Sequence, residues 1–543
     1  MVIHEYFSKT IRRKIGFFED DPSEEAITHL STYELCRLSE SDLRRPTRLA
    51  DVAAVVFRQR PDKLYKIKRD LIEHANTFLW HDCRVFVQPA PVKPGSPGRL
   101  FRKLIVAAIE QGKLPASGLT NTEANSLYGS EENARMLTPL VHVLGLPNSW
   151  DFIATYLQEF PPGEPPFLSL KLHIIDSYPG HASATLPPEE TTLVQRAFHD
   201  CLKVTLVPTS GGLSGVQAYK AYAIRKDDYV GNQIPYEYFV KIGRRRKISS
   251  EFFAYREIAL EHIPFHLGPR LRLDRCALGT RHGIIVSDYV SGAENLGDCA
   301  PDGRAVPQIA SLFNTTLRAW RDSSTREEWP LKEFLRKRMP NKVPEHRWKL
   351  IQELGGSRNP LELKSLLDRL PLSAVHIGVV HNDLHALNVL VRGGDAIVID
   401  FEKVLRKAPL LIDYASVEAG LFVSGFVGDG RDEQELLNSL ATLYELNALI
   451  GHQYSPCDPS DGSAWFFDCV RQVRMQARQI ELGSAQYAYI LALALAKKAC
   501  NKTDFSSDTE CAQKELTVEK VRALAYVLAE RVLVKLFDSD KEY

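Results

Sequence analysis

The sequence predicts an α+β chain: a strand-rich segment at 195–290, a mainly helical one at 291–543, and a separate α/β region in front of both. Three observations carry this. Val204–Val207, Ala218–Ile224, Tyr238–Ile242 and Ile284–Val290 are short apolar runs rich in β-branched and aromatic residues, parted by polar or glycine-bearing turns. Glu433–Ile450, Ala464–Leu482, Tyr487–Lys498 and Val518–Phe537 repeat apolar residues at helical spacing, which predicts packed helices with core-facing stripes. Upstream, the apolar run Asp51–Phe57, the helical pattern Asp62–Leu79 and the strand candidate Arg84–Val87 together predict an α/β unit.

A chain of 543 residues is too long for one ordinary core. The expected division is an α/β region at 1–88, a helical and mixed region of open role at 99–190, the strand-rich domain at 195–290 and the helical domain at 291–543. The Pro/Gly-rich stretch 89–98 reads as a linker or long loop, and the prolines at 161–166 end a helical pattern before the strand candidate Phe167–Ile175.

Lys plus Arg and Asp plus Glu are both 68, so no global field recruits nucleic acid or an anionic membrane, and no nucleic-acid partner is expected. Nine scattered cysteines without a C-x-x-C pair fit a reducing compartment. The N-terminus lacks a signal-peptide pattern, and the most apolar run, Tyr487–Ala496, is too short to span a bilayer. The expectation is a cytoplasmic chain without a membrane span.

The chemistry concentrates at 381–400. An apolar strand, Ile377–Val380, leads into His381-Asn382-Asp383-Leu384-His385-Ala386-Leu387-Asn388, followed by Val389–Val391, a Gly393-Gly394-Asp395 turn and Ala396–Ile399. Such a hairpin sets Asn388, before its first strand, beside Asp400, after its second. One amide and one carboxylate oxygen suit Mg2+, which keeps water and phosphate oxygens in its other positions. Asp383 is then placed to face an acceptor hydroxyl, as phosphoryl transfer requires: alignment and charge neutralisation, with little covalent work for the protein. The competing reading is a metal or plain loop role for His376, His381 and His385, but the glutamate of an H-E-x-x-H helix is missing.

Residues 381–388 resemble the H-G-D-L-H-x-x-N loop of the aminoglycoside phosphotransferase and choline kinase group, and Ile399-Asp400-Phe401-Glu402 resembles its I-D-F-E segment. The resemblance implies a bilobal protein-kinase-like fold, with a β-rich N-lobe at 195–290 and a helical C-lobe at 291–543. It also implies Asp383 as catalytic base, Asn388 and Asp400 as Mg2+ ligands, and His381 as a loop-bracing residue.

Such a fold carries a phosphate-covering loop, a strand lysine and a helix glutamate upstream, in that order. Gly211, Gly212, Ser214 and Gly215 form the candidate glycine turn, otherwise an ordinary hairpin loop. Lys241 stands inside an apolar strand, where an ammonium needs a carboxylate or phosphate partner. Glu251 is its favoured partner and Glu257 the alternative, on a helix expected to start at Ser249 or Ser250. The basic run Arg244–Lys247 reads as a solvated loop. Asp288 and Val290, at a strand end, resemble the interlobe hinge that meets adenine.

Val240–Glu251 and Asp413-Tyr414-Ala415-Ser416-Val417-Glu418 also resemble the ternary-complex-associated kinase-like domains of bacterial conflict and signalling proteins. That similarity implies that Asp413 supports the 381–388 loop; a helix N-cap is the alternative. The expected function is an ATP- and Mg2+-dependent phosphotransferase acting on a hydroxyl acceptor, in all expectation a small molecule, with the N-terminal region open to a protein partner. The alternative is a non-catalytic nucleotide-binding signalling or scaffold protein.

Overall fold

Val52–Arg58 (β3) is apolar on both faces, the pattern of a strand covered on both sides in a parallel sheet. In the computed structural model it is central to a five-stranded, all-parallel sheet ordered β2-β1-β3-β4-β5, with β1 Lys14–Phe18, β2 Glu34–Leu38, β4 Arg84–Gln88 and β5 Val141–Val143. The structure describes residues 14–43, 52–58, 69–70, 83–88, 141–143, 150–159, 166–175, 185–209, 216–226, 234–278, 282–370, 372–451, 453–454, 462–483, 485–501 and 516–539. The chain divides into two compact units, 1–250 with 271–289, and 251–270 with 290–543.

In the first unit, Ile15, Phe17, Ala54, Val56 and Phe86 pack beneath helix α1, Trp150–Glu159, which contributes Trp150, Ile153 and Leu157. The strand order reverses between β1 and β3, and there Arg58 reaches Asp20 at 3.4 Å. The expected helix Asp62–Leu79 and the linker 89–98 fall almost wholly outside the described residues.

The same unit holds a six-stranded sheet ordered β10-β11-β9-β8-β7-β6. Its strands are β6 Lys171–Ile174, β7 Cys201–Pro208, β8 Gln217–Arg225, β9 Tyr236–Arg244, β10 Ala277–Leu278 and β11 His282–Asp288. All pairings are antiparallel except β6 with β7. β6, from the segment expected to be helical and mixed, joins this sheet by pairing with β7. Alternate residues of β7–β9, including Val204, Leu206, Ala221, Tyr238, Val240 and Ile242, share one core with Leu193 and Val194 of the preceding helix.

Helix α2, Arg245–Ala254, begins four or five residues before the expected caps, so Arg245–Lys247 is its first turn and not a loop. It runs directly on from β9, which leaves no room for a separate connecting loop. The boundary between the units falls inside it.

The second unit carries two small sheets, β12-β15-β16 and β13-β14-β17. β12 is Glu294–Asn295, β13 Thr325–Trp329, β14 Ser373–Val380, β15 Val389–Arg392, β16 Asp395–Val398 and β17 Leu405–Pro409. β13 lies in a stretch expected to be helical; its charged sequence hides the strand, which forms by pairing antiparallel with β14. Helix α3, Leu331–Arg338, buries Leu331 and Leu335. Around α4, Leu411–Gly425, whose faces are nearly all buried, gather α5 Ala464–Arg478, α6 Gln486–Cys500 and α7 Val518–Ser539. The pattern at 433–450 splits into Glu433–Leu440, a 3-10 turn and Leu446–Leu449, with Glu445 extended between them. No helix among the described residues is long and apolar enough to cross a membrane. The described residues are mixed α/β with several sheets.

Candidate active site

The 381–388 loop enters from β14 and leaves into β15, so both ends are anchored by sheet. Between these ends the path depends on side chains. Asp413, in the first turn of α4, is buried and accepts the backbone N–H of His381 at 2.7 Å and of Asn382 at 2.8 Å. Burial pushes its carboxyl up to about 7, against the pull of those two donors. Asp413 therefore supports loop amides as well as lying near the start of its helix.

Asn382 has φ 63°, a conformation that asparagine tolerates better than most residues. Its side chain is held twice: Arg338 Nη1 donates to Oδ1 at 2.5 Å, and Nδ2 donates to the Lys403 carbonyl at 3.1 Å.

His381 is fully buried, and its Nε2 bonds to the Ile399 carbonyl at 2.9 Å, tying the loop to the residue before Asp400. His385 turns the other way, its Nδ1 accepting from Leu387 N at 3.3 Å. Burial first, then the Lys498 ammonium, pushes this imidazole down to about 3, so it stays neutral. His376 is near Ser324 Oγ. The three histidines thus have separate partners, and no group of three or more His, Cys, Asp or Glu side chains able to hold a metal converges among the described residues.

Asn388 donates from Nδ2 to the Asp383 carbonyl at 3.0 Å, which leaves Oδ1 as its only side-chain ligand atom. Its own carbonyl accepts from Ile399 N at 3.0 Å, extending the ladder in which Val389 pairs with Val398. Asp400 follows at φ 66° and ψ 74°, a left-handed conformation that costs a non-glycine residue about 1–2 kcal/mol. The donor set is one amide oxygen and one carboxylate at one end of a short hairpin, and it fits a hard cation that draws its remaining ligands from phosphate and water.

Asp383 is about 29% exposed and takes an ion pair from Lys403 Nζ at 2.7 Å. Burial works to raise its carboxyl, but the Lys498 ammonium and Lys403 override it and hold the group well below the usual carboxylate range. It is therefore ionised at neutral pH. Sequence reasoning missed Lys403, although it stands three residues after Asp400; Arg338, Lys497 and Lys498 gave no local signal at all.

In the first unit, Lys241 sits on β9 between Ala218 of β8 and Ile285 of β11, on the sheet face opposite Tyr238, Val240 and Ile242. Glu251 is partly buried on α2, and the two residues fall in different compact units. Gly211, Gly212, Ser214 and Gly215, and the side chain of Glu257, lie outside the described residues. Asp288 ends β11 with its carboxylate 3.7 Å from Arg272 Nε, and Val290 opens the next turn by accepting from Ala293 N.

Residues 220–423 match the model of the phosphotransferase enzyme family. This stretch is phosphotransferase-like. It contains Lys241, the 381–388 loop, Asp400 and Asp413, and it ends inside α4. Similar solved structures include a thermostable mutant of aminoglycoside phosphotransferase APH(4)-Ia, at 12% identity over 62% of this chain and 95% of that one, TM-score 0.32. A choline kinase from Streptococcus pneumoniae overlaps at 16% identity over 62% of this chain and 94% of its own, TM-score 0.28. An amicoumacin kinase solved with AMP-PNP and Ca2+ overlaps at 13% identity over 61% and 88%, TM-score 0.30. No curated protein matches the chain.

Proposed function

We propose that the chain transfers the γ-phosphate of ATP, in the presence of Mg2+, to a hydroxyl group of a small-molecule acceptor, within a bilobal kinase-like arrangement of the phosphotransferase-like segment. The observation that carries this is the double tie at Asn388. Its side chain bonds the Asp383 carbonyl and its main chain bonds Ile399, the residue before Asp400, which ties the 381–388 loop to the end of β16.

In this reading Asp383, ionised, accepts the proton of the acceptor hydroxyl while that oxygen forms its bond to the γ-phosphorus. The bond to the β-phosphate oxygen breaks, and ADP leaves. Asn388 Oδ1 and the Asp400 carboxylate would hold Mg2+, which would neutralise phosphate charge there. Lys241 meets the α- and β-phosphates with Glu251 as its partner, Gly211, Gly212, Ser214 and Gly215 cover the phosphates, and Asp288 and Val290 border the adenine. His381 and Asp413 keep the loop in shape.

The test is transfer of labelled γ-phosphate by the full chain to a panel of hydroxyl compounds, with and without Mg2+. Asp383→Asn is expected to lower turnover by about 100- to 10,000-fold while leaving nucleotide binding intact. Full activity in that variant would remove Asp383 from the role of base. Nucleotide binding without transfer to any acceptor would favour the non-catalytic signalling reading.

A further inference from the structure

The family match ends at 423, yet the chain brings further charge to the loop from beyond it. Lys497 and Lys498 lie in the last turn of α6, both partly buried. Each feels the Asp383 carboxylate and the Lys403 ammonium; Lys497 also feels Arg338 and Asp413, and Lys498 feels Lys497. Arg338 arrives from the end of α3, its guanidinium 4.4 Å above the Phe334 ring and bonded to Asn382. Four cationic side chains thus gather about the 381–388 loop.

The local carboxylates do not absorb them. Asp383 is paired with Lys403, and both oxygens of Asp413 are taken by loop amides. Asp400 and Glu402 act on Lys403. Neither Lys497 nor Lys498 has an ion pair or hydrogen bond among the described residues. A helix C-terminus favours a nearby lysine only weakly, and adjacent like charges on partly buried side chains work against it. An anion placed among them would offset that repulsion.

We infer that the hydroxyl acceptor carries an anionic group, phosphate or carboxylate, seated by Lys497, Lys498 and Arg338 beside Asp383. This rests on the phosphotransferase reading and sharpens it. A polycationic acceptor would be repelled by the same charges, and a neutral one would add no counter-ion to them. When the anionic group binds, Lys403 can swing toward it and release the Asp383 carboxylate to the hydroxyl proton.

Two scaffolds test it, each as parent, phosphate, carboxylate and amine: glycerol, glycerol 3-phosphate, glycerate and 3-amino-1,2-propanediol; and glucose, glucose 6-phosphate, glucuronate and glucosamine. Transfer of labelled phosphate by the full chain is expected to favour the anionic members by about tenfold or more in kcat/KM. The phosphate and carboxylate arms then distinguish the two anions. Lys498→Met should raise the KM for the acceptor about tenfold with the KM for ATP unchanged, and Lys497→Glu should abolish the preference for anions. A rise in the ATP KM alone would assign the cluster to nucleotide and overturn the inference, as would better turnover of neutral or amine acceptors. Binding is read separately by calorimetry with the same anionic compounds and no nucleotide. If no compound is turned over, the phosphotransferase reading fails on its own account. The anion site then stands if these compounds bind and the Lys497→Met/Lys498→Met double variant does not, and falls if the wild-type chain binds none of them.

Discussion

The Asp413 carboxylate spans two successive loop amides, one oxygen on His381 N and the other on Asn382 N. An asparagine there keeps one acceptor and sets an amide NH2 against the other donor. Asp413→Asn is therefore expected to cost about 1–3 kcal/mol in chemical denaturation. Turnover should fall about tenfold or more, because the loop would no longer hold Asp383 in line. Unchanged turnover would mean that the β14 and β15 anchors alone define the loop.

The local part of this site was legible in the sequence because its geometry is local: strand, polar loop, two-residue turn and strand bring Asn388 and Asp400 together whatever surrounds them. Lys497 and Lys498 are different, since they reach the loop only after α6 packs on α4, and their periodicity signals nothing beyond a helix end. The N-terminal sheet shows a second kind of blindness. β1 contains Gly16, a poor strand residue in isolation. In the sheet a Cβ there would come within 2.1 Å of Leu38 on β2, so the glycine serves a close approach that no single strand reveals.

Glu418 and Arg474 form a buried ion pair, with Arg474 Nη2 to Oε1 at 2.7 Å and Nε to Oε2 at 3.0 Å. Tyr487 Oη donates to the same carboxylate, and Arg474 Nη1 donates to the Leu443 carbonyl, so the group is well satisfied. Only Glu418 stood out in the sequence, as the last residue of the 413–418 segment. Glu418→Leu leaves a buried guanidinium without its carboxylate and is expected to cost about 3–5 kcal/mol by urea denaturation. Glu418→Leu with Arg474→Met should recover much of that loss. Equal losses in single and double variants would show that shape, not charge, governs the site.

Lys498 gives a pH dependence with two opposite signs. Burial, with Lys403, Lys497 and Arg522, lowers its ammonium to about 8 although Asp383 pulls the other way. Above about 8 the native chain has lost a proton that the unfolded chain keeps until about 10.4, so this group's contribution to stability rises with pH across that window. Affinity for an anionic acceptor falls across the same window as the charge disappears. Lys498→Met should flatten both trends, measured as melting temperature and acceptor KM from pH 7 to 10. A wild-type acceptor KM constant through that range would detach Lys498 from the acceptor.

Gly420 faces the loop from α4 at a point where helix propensity and packing disagree. In a helix interior alanine is favoured over glycine by about 1 kcal/mol, so Gly420→Ala would stabilise an isolated α4. Here the added Cβ would lie 2.7 Å from His385 Cβ, 3.0 Å from His385 Cα and 3.1 Å from Ala386 N. Two of these are backbone atoms in the turn that delivers Asn388, which cannot retreat as a flexible side-chain tip could. The clash outweighs the propensity: Gly420→Ala should destabilise the chain by about 1–3 kcal/mol and displace the 386–388 turn. The displacement would appear as a raised Mg2+ requirement, because Asn388 Oδ1 and Asp400 would no longer be set at one spacing. A variant more stable than wild type, with an unchanged Mg2+ requirement, would show that the loop accommodates the methyl group and that α4 does not fix the position of Asn388.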